Sequence, residues 1–259
     1  MWNAGPIQPP FTLTISVVRF VTWNLCAGDT QSKLGRVYPP PDVGVFCEVS
    51  KVLPSPSLIE TAPAWEWAGR LTNRGVAIAS WSEAMRRVQP WEGTSPVRYG
   101  LGVELANGVG VVGLWACPEQ KGRSYGAEVH AIIDAFEPFL RSVPCVLAGD
   151  FNIAPGGDAD RRVGVTKRLA ELGYVSAYHA HHGVDFGDEQ PTYYHRFSRG
   201  RPFHIDLVFV RKEWVPAIRS VEVAPYDSWV NSTQLRSDHV PVSVDLDLHL
   251  STMAVNISS

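Results

Sequence analysis

The sequence has no long apolar run. In its 259 residues, no stretch reaches the roughly 18 consecutive apolar residues that span a bilayer. The apolar segment 11–18 is too short for a secretory signal, and residues 1–10 carry no Lys or Arg. We therefore expect a soluble protein without membrane association, with a flexible leader over 1–16, one domain over 17–250 and a tail over 251–259.

An excess of positive charge and paired cysteine motifs are also absent. The 23 Lys and Arg residues are outnumbered by 26 Asp and Glu, and the formal net charge of −3 means that polyanion binding would need a local basic patch. None of the four cysteines is in a Cys-x-x-Cys spacing, and most adjoin apolar runs, where a thiol packs as a small hydrophobe. This usage favours a reducing, cytoplasmic setting. Nothing indicates a repeat or an obligate protein partner.

What the chain does contain is many short strands and few helices. An apolar face predicts a helix over 125–141 after Ser124, a residue type that caps helices, and a second helix over 161–172. Strands follow from β-branched runs bounded by Gly and Pro. Together these elements favour two packed mixed sheets with helices outside them, in one α/β domain. The predicted strands are 15–23, 43–47, 75–81, 98–105, 109–116, 144–149, 205–210, 218–224 and 240–248.

Polar side chains collect at the ends of these strands. Asp150 and Asn152 directly follow the apolar run 146–148, and Asn24 and Glu48 each end an earlier strand. In α/β folds, the ends of buried strands carry the chemistry, so these residues predict a site. The complete set is Trp23-Asn24, Cys47-Glu48, Gly149-Asp150-Phe151-Asn152, His204-Ile205-Asp206 and Ser237-Asp238-His239.

This ordered set resembles the endonuclease/exonuclease/phosphatase superfamily, and the resemblance runs from about Arg19 to Leu248. It is strongest to bacterial members with a Trp-Ala pair after the central strand and a Pro-Thr-Tyr-Tyr-His segment before the His-Ile-Asp strand. The resemblance implies a four-layered αββα sandwich. It also implies hydrolysis of phosphoesters with a divalent metal, expected to be Mg²⁺ with Mn²⁺ as a substitute.

Two strand ends and the following turn suggest the first half of the site. Glu48 offers a hard oxygen ligand that suits Mg²⁺, and Asn24 would orient Glu48 or a metal-bound water. The resemblance implies that Asp150 is the base for the attacking water and that Asn152 donates to the phosphoryl group. In an extended segment, Asp150 and Asn152 would face the same side. An Asx-turn leading into 154–157 is the alternative.

His239 and Asp206 suggest the second half. An imidazole near the scissile phosphate acts best when a carboxylate fixes its tautomer and favours its charged form. Asp206 lies on an apolar strand, where a buried carboxylate needs such a partner. The resemblance implies that Asp238 is a second metal ligand. His204 is expected to be either a phosphate contact or a structural residue.

Two positions depart from the family pattern. Cys26 stands two residues after Asn24, where many nucleases of this type carry an acid, so one metal-site carboxylate is expected to be missing. Trp115 stands where other members carry Tyr or His. Because an indole can only donate its N–H, stack or pack, core packing is favoured over substrate contact for Trp115.

The substrate is less well indicated than the chemistry. Arg199 and Arg201 precede His204 and form a candidate phosphate-binding cluster, whereas the basic residues within 161–168 are better explained as a solvated helix face. Three histidines within 178–182 form only a weak zinc pattern, and a solvated turn is favoured there.

Three functions remain open at this point. The preferred one is a phosphodiesterase or nuclease that acts on nucleic acid through an activated water. The alternatives are a phosphomonoesterase or headgroup phosphatase on the same core, and a non-catalytic binding module. The binding module is disfavoured because every expected catalytic position is filled by a competent residue type.

Overall fold

The computed structural model describes residues 17–28, 30–37, 39–51, 64–94, 96–119, 122–230 and 237–248. The predicted leader over 1–16 and the tail over 251–259 lie outside these ranges. Two six-stranded mixed sheets pack face to face with helices outside them, which confirms the predicted αββα layering.

The first sheet contains strands from both ends of the described chain. Its members are β1 (Val17–Asn24), β2 (Val43–Val49), β3 (Ala64–Leu71), β4 (Arg74–Ser80), β13 (Ile218–Val223) and β14 (Val242–Asp247), in the order β13-β14-β1-β2-β4-β3. β1 runs parallel to β2 and antiparallel to β14. The two strands that end in Asn24 and in Cys47-Glu48-Val49 are therefore neighbours with the same direction.

The second sheet contains the middle of the chain. Its members are β5 (Met85–Val88), β6 (Gly100–Leu105), β7 (Gly110–Trp115), β8 (Cys145–Asp150), β9 (Tyr174–Ser176) and β12 (Asp206–Arg211), in the order β5-β6-β7-β8-β12-β9. A separate two-stranded ribbon pairs β10 (Tyr193–Tyr194) with β11 (Pro202–Phe203).

The longest helix covers the outer face of the second sheet. It begins after Ser124 as predicted, because the Ser124 hydroxyl accepts a hydrogen bond from the Ala127 amide at 3.2 Å. Within the described ranges, no helix combines the length and the apolar character needed to cross a membrane. The α-helices are α1 (Thr30–Leu34), α2 (Tyr125–Ser142), α3 (Asp158–Val163), α4 (Val165–Glu171), α5 (Ala177–His182) and α6 (Tyr226–Trp229).

Strand alternation divides the apolar residues between two layers. Val146 and Val208 belong to the core between the two sheets, while Leu147, Leu207 and Phe209 pack under the helices. Both faces of the central strands are therefore buried. Polar side chains on these strands are found at their ends, which is where the candidate site lies.

Some helices and strands differ from the sequence-based expectations. Gly164 adopts a left-handed conformation with φ of 69°, so the predicted helix over 161–172 is divided into α3 and α4. The pattern did not predict five strands: β3, β5 and β9, which lie at the edges of the two large sheets, and β10 and β11, which form the separate ribbon. All four cysteines are free thiols, in line with the absence of a paired spacing.

Candidate active site

Four central strands bring polar side chains to one end of the sandwich. Asn24 and Asp150 are the last residues of β1 and β8, and Asp206 begins β12 directly opposite Asp150 in antiparallel register. The Asn24 amide donates to Asp150 Oδ2 at 2.8 Å and to Glu48 Oε1 at 3.3 Å. This single side chain therefore joins the acids of the two sheets.

Glu48 reaches the site through a local distortion of β2. The pairing of β2 with β4 shifts register between Cys47 and Val49, and Glu48 has a left-handed φ of 56°. The bulge directs the carboxylate towards Asn24, and Arg74 Nη2 forms an ion pair with Glu48 Oε2 at 3.1 Å. The predicted position at the strand end is confirmed, whereas the bulge and Arg74 had no sequence signal.

The segment after β8 is a turn and not an extended strand. Asn152 has φ of 52°, and its backbone amide donates to Asp150 Oδ1 at 2.9 Å, which is the Asx-turn alternative. The Asn152 side-chain amide donates to Asp150 Oδ2 at 2.9 Å and to the Ala116 carbonyl at 3.0 Å. Phe151 is buried against Phe209. The predicted extended geometry is therefore wrong, but the two polar side chains do lie together.

His239 is fixed by its backbone as well as by its ring. The imidazole Nδ1 lies 2.7 Å from Asp206 Oδ2, as predicted. The Ser237 hydroxyl accepts from the His239 amide and donates to the Asn24 carbonyl at 2.7 Å. The Trp23 indole donates to the His239 carbonyl at 3.0 Å. The Ser-Asp-His element is thus anchored to the end of β1, and both halves of the site form one unit.

Besides Arg74, two further contributors to the site were missed by the sequence reasoning. The Thr192 hydroxyl accepts hydrogen bonds from the Ile205 and Asp206 amides, both at 3.0 Å, and so fixes the start of β12. The Tyr193 ring lies 4.6 Å from the His239 ring. Both belong to the Pro-Thr-Tyr-Tyr-His segment, whose composition was noticed only as a point of resemblance.

Burial and neighbouring charges shift the proton affinities of the site. Burial raises the pKa of Asp150, and the nearby Asp206 carboxylate raises it further, against the opposing effects of His239 and the Asn24 hydrogen bond. Burial alone would lower the pKa of His239, but the charge and hydrogen bond of Asp206 raise it to about 9. His239 therefore carries a positive charge between two buried carboxylates.

The donor set fits a hard divalent cation. Asp206 Oδ1 is buried without a hydrogen-bond partner in the described part of the chain, and Asp150, Asp206 and His239 place ligand atoms within 4.8 Å of one another. His239 Nδ1 already contacts Asp206, which makes the buried group of Asp150, Asp206 and His239 the less suitable site. The carboxylates of Glu48 and Asp238 are partly exposed, so they are better suited to an ion that retains water ligands.

The thiol of Cys26, which departs from the expected pattern, adds no charge to the site. Burial, followed by the nearby charges of Asp238 and Glu48, raises the pKa of Cys26 to about 11. Cys26 is therefore a neutral thiol beside both acids, and it does not replace the carboxylate that the resemblance leads one to expect at this position. Because the charges of Asp238 and Glu48 both act on Cys26, the two carboxylates lie near the same thiol.

The comparison with protein families shows the family of the chain. The family described as Endonuclease/Exonuclease/phosphatase family matches residues 21–239, from β1 to the histidine of the Ser-Asp-His element. The chain belongs to the endonuclease/exonuclease/phosphatase family. It is accordingly a metal-dependent phosphoester hydrolase, as the sequence predicted. A search of curated proteins finds no significant match.

Solved structures of other proteins share the fold of this family member. A 3′ phosphatase from Neisseria bound to a product DNA hairpin is 21% identical, with a TM-score of 0.72 over 89% of this chain and 99% of the other. A 3′-5′ exonuclease from Neisseria meningitidis is 23% identical, with a TM-score of 0.69 over 88% and 99%. An AP endonuclease from Archaeoglobus fulgidus is 18% identical, with a TM-score of 0.68 over 89% and 99%.

The residues predicted to contact substrate lie in different surroundings in this family member. Trp115 is buried against Tyr99, with ring centroids 4.8 Å apart, so it packs in the core as favoured. His204 is also buried, and its Nδ1 lies 2.6 Å from the Gln190 carbonyl, which fits the structural role.

The two predicted arginines lie in the loop between β10 and β11. Arg199 is exposed, forms an ion pair with Asp227 at 2.6 Å, and has its guanidinium 4.5 Å from the Tyr226 ring centroid. Arg201 is exposed as well, and its carbonyl accepts from the His195 amide. Their contact with phosphate stays a prediction.

Two surface interpretations require correction. Arg168 does not belong to a solvated face, because it contacts Asp134 and, at 2.8 Å, Glu137 on α2. The histidine-rich segment forms the helix α5 and not a turn, and His179 is largely buried between Ser176 and Glu189, whereas His181 and His182 are exposed as expected. The partners of Arg168 are 34 and 31 residues away in the chain, so the local pattern cannot specify them. Ser176 and Glu189 are only three and ten residues from His179.

Proposed function

We propose that this family member is a Mg²⁺-dependent nuclease that hydrolyses phosphodiester bonds in nucleic acid. The observation that carries the proposal is the continuous network from Glu48 through Asn24 to Asp150, beside the His239–Asp206 pair. It unites a carboxylate base, an imidazolium and metal-binding acids within one small region. In-line phosphoryl transfer to water requires an activated water and stabilisation of the charge on the phosphoryl oxygens and the leaving group, and these groups can supply both.

Asp150 is the proposed base for the attacking water. Its raised pKa brings the carboxylate closer to the proton affinity at which a general base is effective. Asn24 and Asn152 both donate to Asp150 Oδ2, so the carboxylate is held in a fixed orientation. This fixed orientation supports in-line approach of a water to the phosphorus.

His239 is the proposed electrostatic partner of the phosphoryl group. Asp206 favours its charged form and occupies Nδ1, which leaves Nε2 for the substrate. Negative charge that develops on phosphoryl oxygens would be stabilised by the imidazolium. Because Ser237 and Trp23 fix the backbone of His239, this charge is already in place before the substrate binds.

Glu48 and Asp238 would hold the divalent ion, and Asn24 would orient Glu48. When bound, such an ion neutralises charge on the phosphoryl oxygens and the leaving group. The preference for Mg²⁺ rests on the all-oxygen donor set, because Mg²⁺ takes one or two carboxylates and retains several waters. The free thiols support a reducing, cytoplasmic location.

An aromatic surface beside His239 supports a nucleic-acid substrate. Tyr193 lies between the His239 ring at 4.6 Å and the Phe203 ring at 6.3 Å, and Phe203 is 49% exposed. Exposed rings next to a phosphate site can stack on a base or a sugar. Arg199 and Arg201 lie in the loop that joins the two strands of this ribbon, where they can reach a polynucleotide backbone.

A terminal phosphatase is the second candidate. The fold is shared with the 3′ phosphatase from Neisseria that was solved with a product DNA hairpin, and the same catalytic groups could remove a 3′ phosphate. The two functions differ in whether a phosphodiester or a phosphomonoester is cleaved.

An activity panel with Mg²⁺, Mn²⁺ and EDTA tests the proposal. The substrates are duplex, hairpin and single-stranded DNA, RNA, a 3′-phosphorylated hairpin, bis-p-nitrophenyl phosphate and p-nitrophenyl phosphate. We expect Mg²⁺-dependent cleavage of internucleotide bonds and a fall in kcat of about 100-fold or more in Asp150→Asn and in His239→Ala. The exposed acid variant Asp158→Asn is the matched control.

The outcome separates the candidate functions. Full activity in both active-site variants would contradict the mechanism, and cleavage of monoesters alone would favour the phosphatase. Phe203→Ala is expected to raise KM for DNA by about tenfold, as loss of one stacking contact does, without changing cleavage of bis-p-nitrophenyl phosphate. An equal effect on both substrates would exclude the aromatic surface from nucleic-acid binding.

A further inference from the structure

A cavity separate from the candidate active site lies on the helix side of the second sheet. Its volume is about 910 Å³, and it opens between α4, α5 and the segment that follows the Asp150–Asn152 turn. This volume is within the range of pockets that hold small molecules. None of the acids, amides or histidines of the candidate active site lines it.

The interior of this cavity is mainly apolar. Phe209 and the Tyr174 ring form part of its wall, and the Tyr174 hydroxyl points away to donate to the Leu140 carbonyl at 2.9 Å. Phe186 lines the opening, 51% exposed, against Gly156 and 4.6 Å from the His179 ring. Phe209 and Tyr174 are each only 1% exposed, so the aromatic surface that an apolar ligand would cover belongs mainly to Phe186, with a gain of about 25 cal/mol per Å².

One hydrogen-bonding position is built into the wall. His179 Nε2 lies 2.9 Å from Glu189 Oε1, and an ionised carboxylate can only accept, so this nitrogen carries the proton. His179 Nδ1 lies 2.8 Å from the Ser176 hydroxyl. Whichever of the two groups donates in this hydrogen bond, the Ser176 oxygen keeps a lone pair for a ligand donor. All three side chains are largely buried, which fixes this arrangement.

The rim of the cavity is cationic. Arg161 and Lys167 line it, with side chains 72% and 83% exposed, and their ion pairs with Asp158 and Glu171 are long, at 3.6 and 4.0 Å. Such exposed pairs are weak and can exchange for a ligand anion.

Asp160, the acid that lines the cavity together with these cations, is already engaged within the protein. Asp160 accepts hydrogen bonds from the Gly156 amide at 2.9 Å and from the Thr166 amide at 3.0 Å, and the Thr166 hydroxyl also donates to it. Its charge is therefore stabilised by protein donors, and the rim favours an anion.

We propose that this cavity binds a small amphipathic anion. The ligand would have an aromatic or aliphatic body against Phe186 and Ala170, and one carboxylate, sulfonate or phosphate at Arg161 and Lys167. A donor group on the body would contact the Ser176 hydroxyl. The proposal is independent of the phosphoesterase function, because it uses none of the residues assigned to that reaction.

Binding of 8-anilinonaphthalene-1-sulfonate to the full chain tests this site. The probe combines an apolar body with one sulfonate and reports burial by its fluorescence. We expect saturable binding of one probe per chain, and at least tenfold weaker binding of the uncharged analogue N-phenyl-1-naphthylamine. Isothermal titration calorimetry gives the stoichiometry.

Matched variants locate the bound probe. Ala170 is an exposed cavity residue on α4, so Ala170→Trp should fill the space and weaken binding at least tenfold, whereas Trp at the exposed Ala106 should have no effect. The double variant Arg161→Gln, Lys167→Gln should weaken the sulfonate probe about fivefold and leave the neutral analogue unchanged. Arg86→Gln removes an exposed arginine elsewhere and is the charge control.

Three results would overturn the proposal: no saturable binding of the sulfonate probe, unchanged affinity in Ala170→Trp, or an equal loss of affinity for the charged and the neutral probe in the double variant. If Ala170→Trp does not melt cooperatively, Ala180→Met, which fills the opposite wall with a flexible side chain, replaces it.

Discussion

Non-glycine residues with a left-handed backbone conformation are concentrated around the candidate active site. Glu48 and Asn152 contribute directly to it, and Cys26 and Ala27 follow Asn24. Such conformations cost about 1–3 kcal/mol each and persist where surrounding contacts fix them. Here the contacts are the hydrogen bonds of Asn24 and Asp150. The chain therefore accepts local strain in order to direct these side chains.

The strain at Glu48 predicts an unusual order of stability between two truncations. Glu48→Gly and Glu48→Ala both remove the carboxylate and the ion pair with Arg74, and they differ only in the cost of φ near 56°. We expect Glu48→Gly to be about 1 kcal/mol more stable than Glu48→Ala in urea denaturation. Both variants should lose phosphoesterase activity.

The control for this prediction is an exposed position in regular strand. At Arg86 in β5, the Gly variant should be about 0.5–1 kcal/mol less stable than the Ala variant. If the Gly variant is less stable than the Ala variant at Glu48 as well as at Arg86, Glu48 is not strained in solution.

His204 is predicted to make folding sensitive to acid. Burial lowers its pKa, with His179 acting in the same direction, while the Gln190 hydrogen bond and the carboxylates of Glu189 and Asp206 oppose the shift. The unfolded chain then binds the proton more tightly, so stability falls as pH drops from 6.5 towards the lower folded pKa. His204→Asn should lose less stability between pH 7.5 and 5 than the parent.

Urea midpoints measured at each pH test this expectation. His181→Asn, at an exposed histidine on the neighbouring helix, is the control and should follow the parent. If His204→Asn also follows the parent, the ring is protonated in the folded protein and the burial argument is wrong.

At the scale of the elements, the close pairing of β7 and β8 explains the glycine before Asp150. Gly149 has φ of 144°, and a Cβ atom there would lie 1.8 Å from the Leu114 carbonyl oxygen of β7. Neither backbone can move without disturbing the register that places Trp115 beside Asp150. Glycine is therefore required by the sheet that carries the proposed base.

Gly149→Ala should consequently be severely destabilising, by about 4 kcal/mol or more, because both a clash and an unfavourable φ are imposed. Gly108→Ala is the matched comparison, since Gly108 has φ of 85° with nothing within 4 Å of its Cβ position. It should cost only about 1 kcal/mol. Thermal unfolding measures both, and similar values for the two variants would contradict the clash.

The elements differ in how far the sequence specifies them. Buried strands such as β8 were predicted within two residues because their apolar runs reflect burial on both faces. The edge strands β3, β5 and β9 gave no such signal. Gly164 was missed as a break because an apolar helical period continues across it. The strand-end motifs indicated the site, but the turn at Asn152 and the bulge at Glu48 depend on pairing between distant segments.

At the scale of the whole molecule, the site belongs to neither sheet alone. The first sheet contributes Asn24 and Glu48, and the second contributes Asp150 and Asp206. The overall charge of −3 is mild, but these carboxylates are close together at one end of the sandwich. Only the packing of the two sheets brings them together, so the sequence indicated which residues meet but not contacts such as Arg74 with Glu48.

This arrangement predicts that divalent cations stabilise the fold. A ligand that binds only the folded chain at ten times its Kd adds about 1.4 kcal/mol, which corresponds to a rise in Tm of about 2–4 °C for a chain of this size. We expect Mg²⁺ and Mn²⁺ to raise Tm and EDTA to reverse the rise. Glu48→Gln should abolish it, whereas Glu119→Gln, which alters an acid bound to Tyr99 and Arg98, should leave it intact. A rise of the same size in Glu48→Gln would remove Glu48 from the metal site.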